Sequence, residues 1–514
     1  MSFAAAIDEY AGIGPGPRLP QMLERAAFVA LLLMIAAAPH SIAATQAAWL
    51  FGMLMWVIRC FIQPRPEFLI TPLGYALFGL FAWTAVSAFF SYEPLVSLDK
   101  LRGTAVFLIF LFAINTLRNR RAVHLAAALL VGSCMVSVLW LPVQKLLGRG
   151  IQIHEIAADG PLAGLGVLDG DVIVRANKKL IRSPSVLAEE LMKGDPVTIE
   201  FNRLDAVYVR SLSRSDVDRT QGTAEQMLGF GSWNAWRGFR AAGFYGHFTT
   251  YAEVLQLIGA LAVGLLVAGV MLGATLRLKG LLAVSVLGIS AALLLTVTRA
   301  SQLSFVIASA VIVLLGASRK MILFSAAAAV PIALIGLYVL QQQRQVSFFD
   351  KNDGSIKYRQ MMWRDGLRLM NEEPRHLIVG VGMDSIKTHW EEWGLYDKGH
   401  QPMGHFHSTP IQLVVERGIP ALLIWLIVLG IYARTLWQAR SFPGNRDDWR
   451  SRGIILGCAG GLAGFFASGL VHYNLGDQEV AMVFYIIMAF GTRLAILPAA
   501  EDLLKLDSPI LANA

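Results

Sequence analysis

"TTYAEVLQLIGALAVGLLVAGVML", residues 249–272, decides the fold class. Glu253, close to its first end, is the only charged residue in it. A helix that crosses the apolar core of a bilayer needs about 20 mostly apolar residues. Eleven further stretches have the same character, near 22–38, 43–61, 68–90, 102–117, 122–143, 279–297, 301–317, 321–340, 419–437, 454–471 and 478–497. The chain of 514 residues is 55% hydrophobic and 16% charged, with a mean hydropathy of +0.54, which is too apolar for a water-soluble domain of this length. The expectation is an all-α polytopic membrane protein of about twelve transmembrane helices.

Charge sets the expected orientation. Numbering the loops between the runs, the even loops carry Arg59, Arg65, Arg118, Arg120, Arg121, Arg277, Lys279, Arg319, Lys320, Arg434, Arg440, Arg446, Arg450 and Arg452. The short odd loops carry only Lys100, Arg102 and Arg299. Lys and Arg mark the cytoplasmic side, so both termini are expected inside and the odd loops outside. The net charge of +8 is then mostly topological, and nucleic acid is not an expected partner. The first run follows a polar lead and reads as an anchor, not a cleaved signal. Cys60, Cys134 and Cys458 fall in or beside apolar runs and suggest neither a disulfide framework nor a metal site.

Residues 146–215 interrupt the membrane pattern. "IQIHEI", "GDVIVRANKKLI", "VTIEFNRL" and "AVYVRSL" read as strands, with a short helix over "SPSVLAEELMK". "HEIAA" (154–158) opens like a zinc-protease motif but has Ala158 where the second histidine belongs, and it lies in a strand. "DKNDG" (350–354) has its glycine one position early for a calcium loop. The segment "AADGPLAGLGVLDGDVIVRANKKLI" with the following helix and paired strands resembles a bacterial PDZ domain, and "LLGRGIQI" (146–153) sits where such domains keep a carboxylate-binding loop. The resemblance implies an α+β module that binds an extended peptide or protein partner by strand addition.

The second long outward loop, 341–418, ends in "MGHFHSTPIQLVVERGIP" (403–420). Ser408 or Thr409, followed by Pro410, signals a helix start. Gly418 and Pro420 should break that helix after about two turns, ahead of a membrane run. His405 and His407 then stand at a helix start, where neutral imidazole, the form that acts as a general base, is favoured. Three more outward stretches add "RGFRAAGFYGHF" (237–248) with Arg237, Arg240 and His247, "TVTRASQ" (296–302) with Arg299, and "YRQMMWRDGLRLM" (358–370) with Arg364. Guanidinium groups match phosphate oxygens, and a histidine beside them can activate a hydroxyl. Together they suit transfer from a lipid diphosphate to an alcohol.

Five pieces in order, "SYEPLVSL" (91–98), "RAAGFYGHFTTYAE" (240–253), "TRASQLSF" (298–305), "WRDGLRLMNEEPRHLIVGVGMDSI" (363–386) and "HFHSTPIQLVVERGIP" (405–420), resemble the O-antigen ligase and polymerase family of bacterial membrane glycosyltransferases. Ser408 stands where the family usually has Asn, Thr298 where Ser is usual, and Pro420 in place of a final Gly. The resemblance implies a helical fold of the lipid-sugar glycosyltransferase type in a bacterial inner membrane. It implies an undecaprenyl diphosphate-linked glycan as donor, a periplasmic active site, and neither cofactor nor metal. Arg240 and Arg299 would hold the diphosphate and His407 would take the acceptor's proton. Arg364, Arg237, His405, His247 and Glu416 are expected to contact substrate. The acceptor is a lipid A–core sugar, a growing glycan or exopolysaccharide, or a protein hydroxyl; a polysaccharide or lipid transporter or flippase is the alternative from another class. The expected division is 1–145 for five helices, 146–215 for the PDZ-like domain, 216–340 for four helices, 341–418 for the loop bearing the catalytic histidine, and 419–514 for three helices and a tail.

Overall fold

The computed structural model describes residues 3–203, 206–217, 222–324, 327, 354–400 and 404–507. The principal helices are α1 (Arg18–Ala37), α2 (Ile42–Phe61), α3 (Pro72–Phe89), α4 (Pro94–Thr104), α5 (Arg120–Leu147), α6 (Phe248–Met271), α7 (Leu276–Leu295), α8 (Arg299–Gly316), α9 (Gly354–Glu372), α10 (Thr409–Ala439), α11 (Trp449–Gly469) and α12 (Gln478–Asp507). Ten of them, all but α4 and α9, are long and apolar enough to cross a membrane. The protein is an all-α polytopic membrane protein with a small β-rich region. Of the two remaining apolar runs, 102–117 is broken by a 3₁₀ turn, Ala105–Phe107, before a nine-residue helix, Leu108–Thr116. The run 321–340 lies almost entirely outside the described residues, as does the 350–354 stretch.

Local chemistry fixes where the helices start. Ser41 accepts from the Ala44 N–H at α2, Thr71 from Gly74 at α3, Thr275 from Leu278 at α7, and Asp448 from Arg450 and Ser451 at α11. Each satisfies backbone donors that the first turn leaves without partners. At α6 the cap is a histidine: His247 Nδ1 accepts from the Thr249 N–H at 3.3 Å.

The chain divides into two compact units, Met1–Ser137 with Ala242–Ala514, and Val138–Ala241. The second holds an antiparallel sheet of β1 (Ile151–Ile156), β2 (Val172–Ala176), β3 (Lys179–Leu180), β4 (Val197–Arg203), β5 (Ala206–Leu212) and β6 (Phe230–Ala235), ordered β5-β4-β2-β1-β6 with β3 on β2. The sheet takes in β6, beyond the 146–215 span expected from sequence, because Phe230–Ala235 pairs along β1 from Ile156 to Ile151. Ile151, Ile153, Ile173, Leu187, Ile199, Phe201, Leu212 and Phe230 form its buried core. The helix expected over "SPSVLAEELMK" is Pro184–Lys193 and buries Leu187 and Leu191 against that core.

In the first unit, α6 and α11 pack backbone to backbone. A Cβ at Gly264 would lie 2.4 Å from both Gly453 O and Gly457 N, and one at Gly457 would lie 2.6 Å from Leu261 Cα. Small residues let membrane helices approach this closely, where dispersion and not hydrophobic transfer drives association. Gly264→Leu should therefore lower the thermal stability of the detergent-solubilised protein by many degrees. Gly280→Ala, whose Cβ would meet nothing within 4 Å, should leave it unchanged or higher. Equal melting of both variants would contradict the close packing.

Candidate functional site

The site is built on a break in α10. Gly418 adopts φ 77° and ψ 172°, splitting a short first segment from the membrane span. The expected break is present, and its cause is visible. A Cβ at Gly418 would lie 1.9 Å from Ile378 O. The carbonyls that the interruption frees find new donors. Val415 O accepts from Val381 N at 2.9 Å, Glu416 O from Gly382 N at 2.9 Å, and Arg417 O from Trp83 Nε1 at 2.9 Å. The "VGVGMDSI" stretch thus lies along the kink, and its glycines permit the approach: a Cβ at Gly380 would lie 2.3 Å from Glu416 C, and one at Gly382 1.8 Å from Ser91 Oγ. Ser91 in turn meets Ser385 Oγ at 2.9 Å and accepts from Ser97 Oγ at 2.8 Å. Three of the five sequence pieces, 91–98, 363–386 and 405–420, therefore meet in one polar seam.

The histidine loop precedes this break. Phe406 is fully buried among Met362, Leu369, Val381, Tyr396 and Val415, and its carbonyl accepts from Trp363 Nε1 at 2.9 Å. His405 and His407, on either side of it, both line a cavity of about 710 Å³. Alternation thus anchors one side of the loop and presents both imidazoles on the other. Their ring centroids are 4.2 Å apart, and His472, also lining the cavity, lies 6.3 Å from His407. His407 has φ 46°, an uncommon conformation for a residue with a side chain. The His407 N–H donates to His405 Nδ1 at 3.2 Å, so a neutral His405 carries its proton on Nε2.

A hydrogen-bond chain holds this loop. Buried Glu253 accepts from Ser301 Oγ at 3.1 Å and from Ser468 Oγ at 2.7 Å. Ser468 accepts from Asn474 Nδ2 at 2.9 Å, and Asn474 Oδ1 lies 2.9 Å from Thr409 Oγ1. Thr409 N then donates to His472 O at 3.0 Å. The starts of α6, α8 and α10 and the end of α11 are thereby tied together within two residues of His407.

The histidines are held neutral. Burial, then the neighbouring His405, Arg359 and His247, push the His407 imidazole down to about 3. Burial, then Lys387, lowers His405, and burial with Arg359 beside it takes His472 well below its ordinary value. Asp477, whose carboxylate accepts from Thr250 Oγ1 at 2.6 Å, is pushed up to about 7 by burial, with Glu479 adding to the effect. Burial opposes ionisation of Asp384, yet Lys100 at 2.7 Å and Lys387 at 3.0 Å outweigh it and hold its carboxyl below the usual range.

Of the residues expected from sequence, His405, His407, His247 and Glu416 line this cavity. Arg299 opens α8, half-buried, and Arg364 is exposed on α9; neither is a lining residue. Arg237 and Arg240 belong to the second unit, while the cavity is described by the first unit's residues alone. The cations that line it are Lys100, Arg102, Lys387 and Arg417. Lys100 and Arg102 were legible as exceptions to the charge pattern of the short loops. Nothing local in the sequence pointed to Lys387, His472, Asn474 or Asp477. Among the described residues, no three His, Cys, Asp or Glu side chains are grouped to hold a metal ion.

A family model described as O-antigen ligase matches residues 283–426. No curated protein matches the chain. The matched span contains Arg299, Arg364, His405, His407 and Glu416 and ends just beyond the Gly418 break; Arg237, Arg240 and His247 precede it. The match is consistent with a ligase-type glycosyltransferase.

The depressed His407 carries a stability signature. An unfolded histidine takes up its proton near pH 6.5, whereas folded His407 waits until about pH 3. Between those values the unfolded chain binds more protons, so stability falls as the pH drops. His407→Gln removes this difference. The variant should gain stability relative to wild type as pH falls from 7 to 5, by about 1–2 kcal/mol after allowance for partial exposure. Thermal melts at the two pH values test this; a pH-independent gap between the proteins would contradict a neutral, half-buried His407.

Proposed function

We propose that this protein is a bacterial inner-membrane glycosyltransferase. It moves a glycan from undecaprenyl diphosphate to an acceptor hydroxyl on the periplasmic side. The observation that carries the reading is the shared cavity, in which neutral His405, His407 and His472 stand beside Lys100, Arg102, Lys387 and Arg417. The family match over 283–426 supports it.

In this reading the acceptor hydroxyl loses its proton to a ring nitrogen of His407. Its oxygen forms a bond to the anomeric carbon as the bond from that carbon to the phosphate oxygen breaks, and the lipid diphosphate leaves with the electron pair. Cations around the leaving group stabilise charge as it develops. Arg299 is proposed among those cations, and His247, Glu416 and Arg364 among the substrate contacts. The surroundings of His407 keep its proton affinity low. An incoming diphosphate places negative charge nearby and raises it, so donor binding itself would switch on the base. The tie between Glu253, Asn474 and Thr409 keeps the loop in place meanwhile.

We also assign to the second unit the peptide or protein partner expected of a PDZ-like module, by strand addition at its sheet. It would recruit a partner or present a protein acceptor.

Purified protein incubated with an undecaprenyl diphosphate-linked glycan and candidate acceptors should yield a product whose mass names the acceptor: lipid A–core, glycan chain or protein. A general base contributes ~10²–10⁴ in rate. His407→Ala should lose that much while melting as wild type does at pH 7.5. Undiminished transfer by the variant would remove His407 from the chemistry. Movement of the donor across vesicles without any transfer would favour a flippase.

A further inference from the structure

The cations that line the cavity are not equivalent. Lys100 and Lys387 both bind Asp384, at 2.7 and 3.0 Å. Arg102 is exposed and binds Asp99 at 3.0 Å. Arg417 differs in two ways. It is only 4% exposed, and its nearest carboxylate oxygen among the described residues, Glu416 Oε2, lies at 3.7 Å, beyond hydrogen-bond range. Glu416 is engaged elsewhere, its Oε1 accepting from the Asp384 N–H at 3.3 Å. Arg417 Nη2 donates to Tyr473 OH at 2.9 Å, and Nε has no partner among the described residues.

A guanidinium stays charged at every relevant pH and offers five N–H donors. Buried without matched acceptors, it is unfavourable. Such a group facing a cavity is completed by an anion with several oxygens. Its position is fixed by the Gly418 break, since Arg417 immediately precedes that residue and its carbonyl is held by Trp83 Nε1. Tyr473 OH fixes the other end of the side chain.

We propose that Arg417 is the buried phosphate anchor of the cavity, taking the oxygens of a diphosphate on its free N–H edge, with Tyr473 orienting the guanidinium. The assignment rests on the transferase reading for its ligand class but makes a separate demand on the protein. Arg417 must be reachable by, and selective for, a small polyanion.

The probe is inorganic pyrophosphate, without divalent cations, on the full-length detergent-solubilised protein. Wild type should bind it saturably. Arg417→Gln should weaken binding by roughly tenfold or more. Arg417→Lys should be intermediate, because an ammonium keeps the charge but not the fork. Tyr473→Phe should weaken binding several-fold with Arg417 intact. A measurement free of folding effects uses wild type alone: phenylglyoxal should modify Arg417, and pyrophosphate should protect it, as read by peptide mass. Arg417 labelled equally with and without pyrophosphate, or never labelled, would overturn the assignment. So would Arg417→Gln binding pyrophosphate as wild type does. Arg417-dependent binding in a protein that transfers no glycan would support the anchor and remove the transferase reading. Transfer that continues while pyrophosphate ignores Arg417 would remove the anchor and leave the transferase.

Discussion

Backbone groups freed by the interruption of α10 must find partners away from water, and that requirement organises the site. A break in a membrane helix is tolerated only where the surrounding protein re-satisfies the freed carbonyls. Here Val381, Gly382 and Trp83 do so for Val415, Glu416 and Arg417. The pairing needs glycine on both sides, at 380, 382 and 418, because each Cβ would fall on backbone or on Ser91. It fixes the rotation of the short segment of α10. That rotation sets Glu416 and Arg417 at the cavity and leaves the preceding loop to be anchored by Phe406.

A second constraint works from the opposite direction. The backbone contact of α6 with α11 brings Glu253 and Ser468 within hydrogen-bond range, and Ser301 on α8 completes the coordination of the carboxylate. Asn474 and Thr409 carry that register to the histidine loop. The polar groups are buried and mutually satisfied, which rigidifies a site better than isolated contacts do. Burial of His472, partial burial of His407 and the crowding of the three rings then hold the imidazoles neutral, and their basicity responds to whatever charge enters the cavity.

The membrane architecture was legible because apolar run length is a local property, and ten of the runs are helices of sufficient length. The run 102–117 is interrupted by the 3₁₀ turn at Ala105–Phe107, which hydropathy does not register. The break at Gly418 and the strand character of "IQIHEI" follow from local chemistry and were equally readable. His405, His407, His247 and Glu416 could be chosen because ionisable groups beside membrane helices are conspicuous. Lys387, His472, Asn474 and Arg417 were not, because their meaning lies in pairings such as Thr409 with Asn474 or Trp83 with Arg417, across 65 and 334 positions. No periodicity encodes which helices become neighbours. Arg364 is exposed on α9, outside the residues that line the cavity, whereas Arg417 lines it.

The central claim is that a lipid diphosphate occupies the cavity bounded by the histidine loop and the α10 break. An electron cryo-microscopy map of the full chain in nanodiscs, with a non-transferable undecaprenyl diphosphate analogue, tests it most directly. The account predicts diphosphate density inside that cavity, within hydrogen-bond reach of its cations and facing His407. Density for the headgroup at any other surface, with the cavity unchanged from the ligand-free protein, would contradict it.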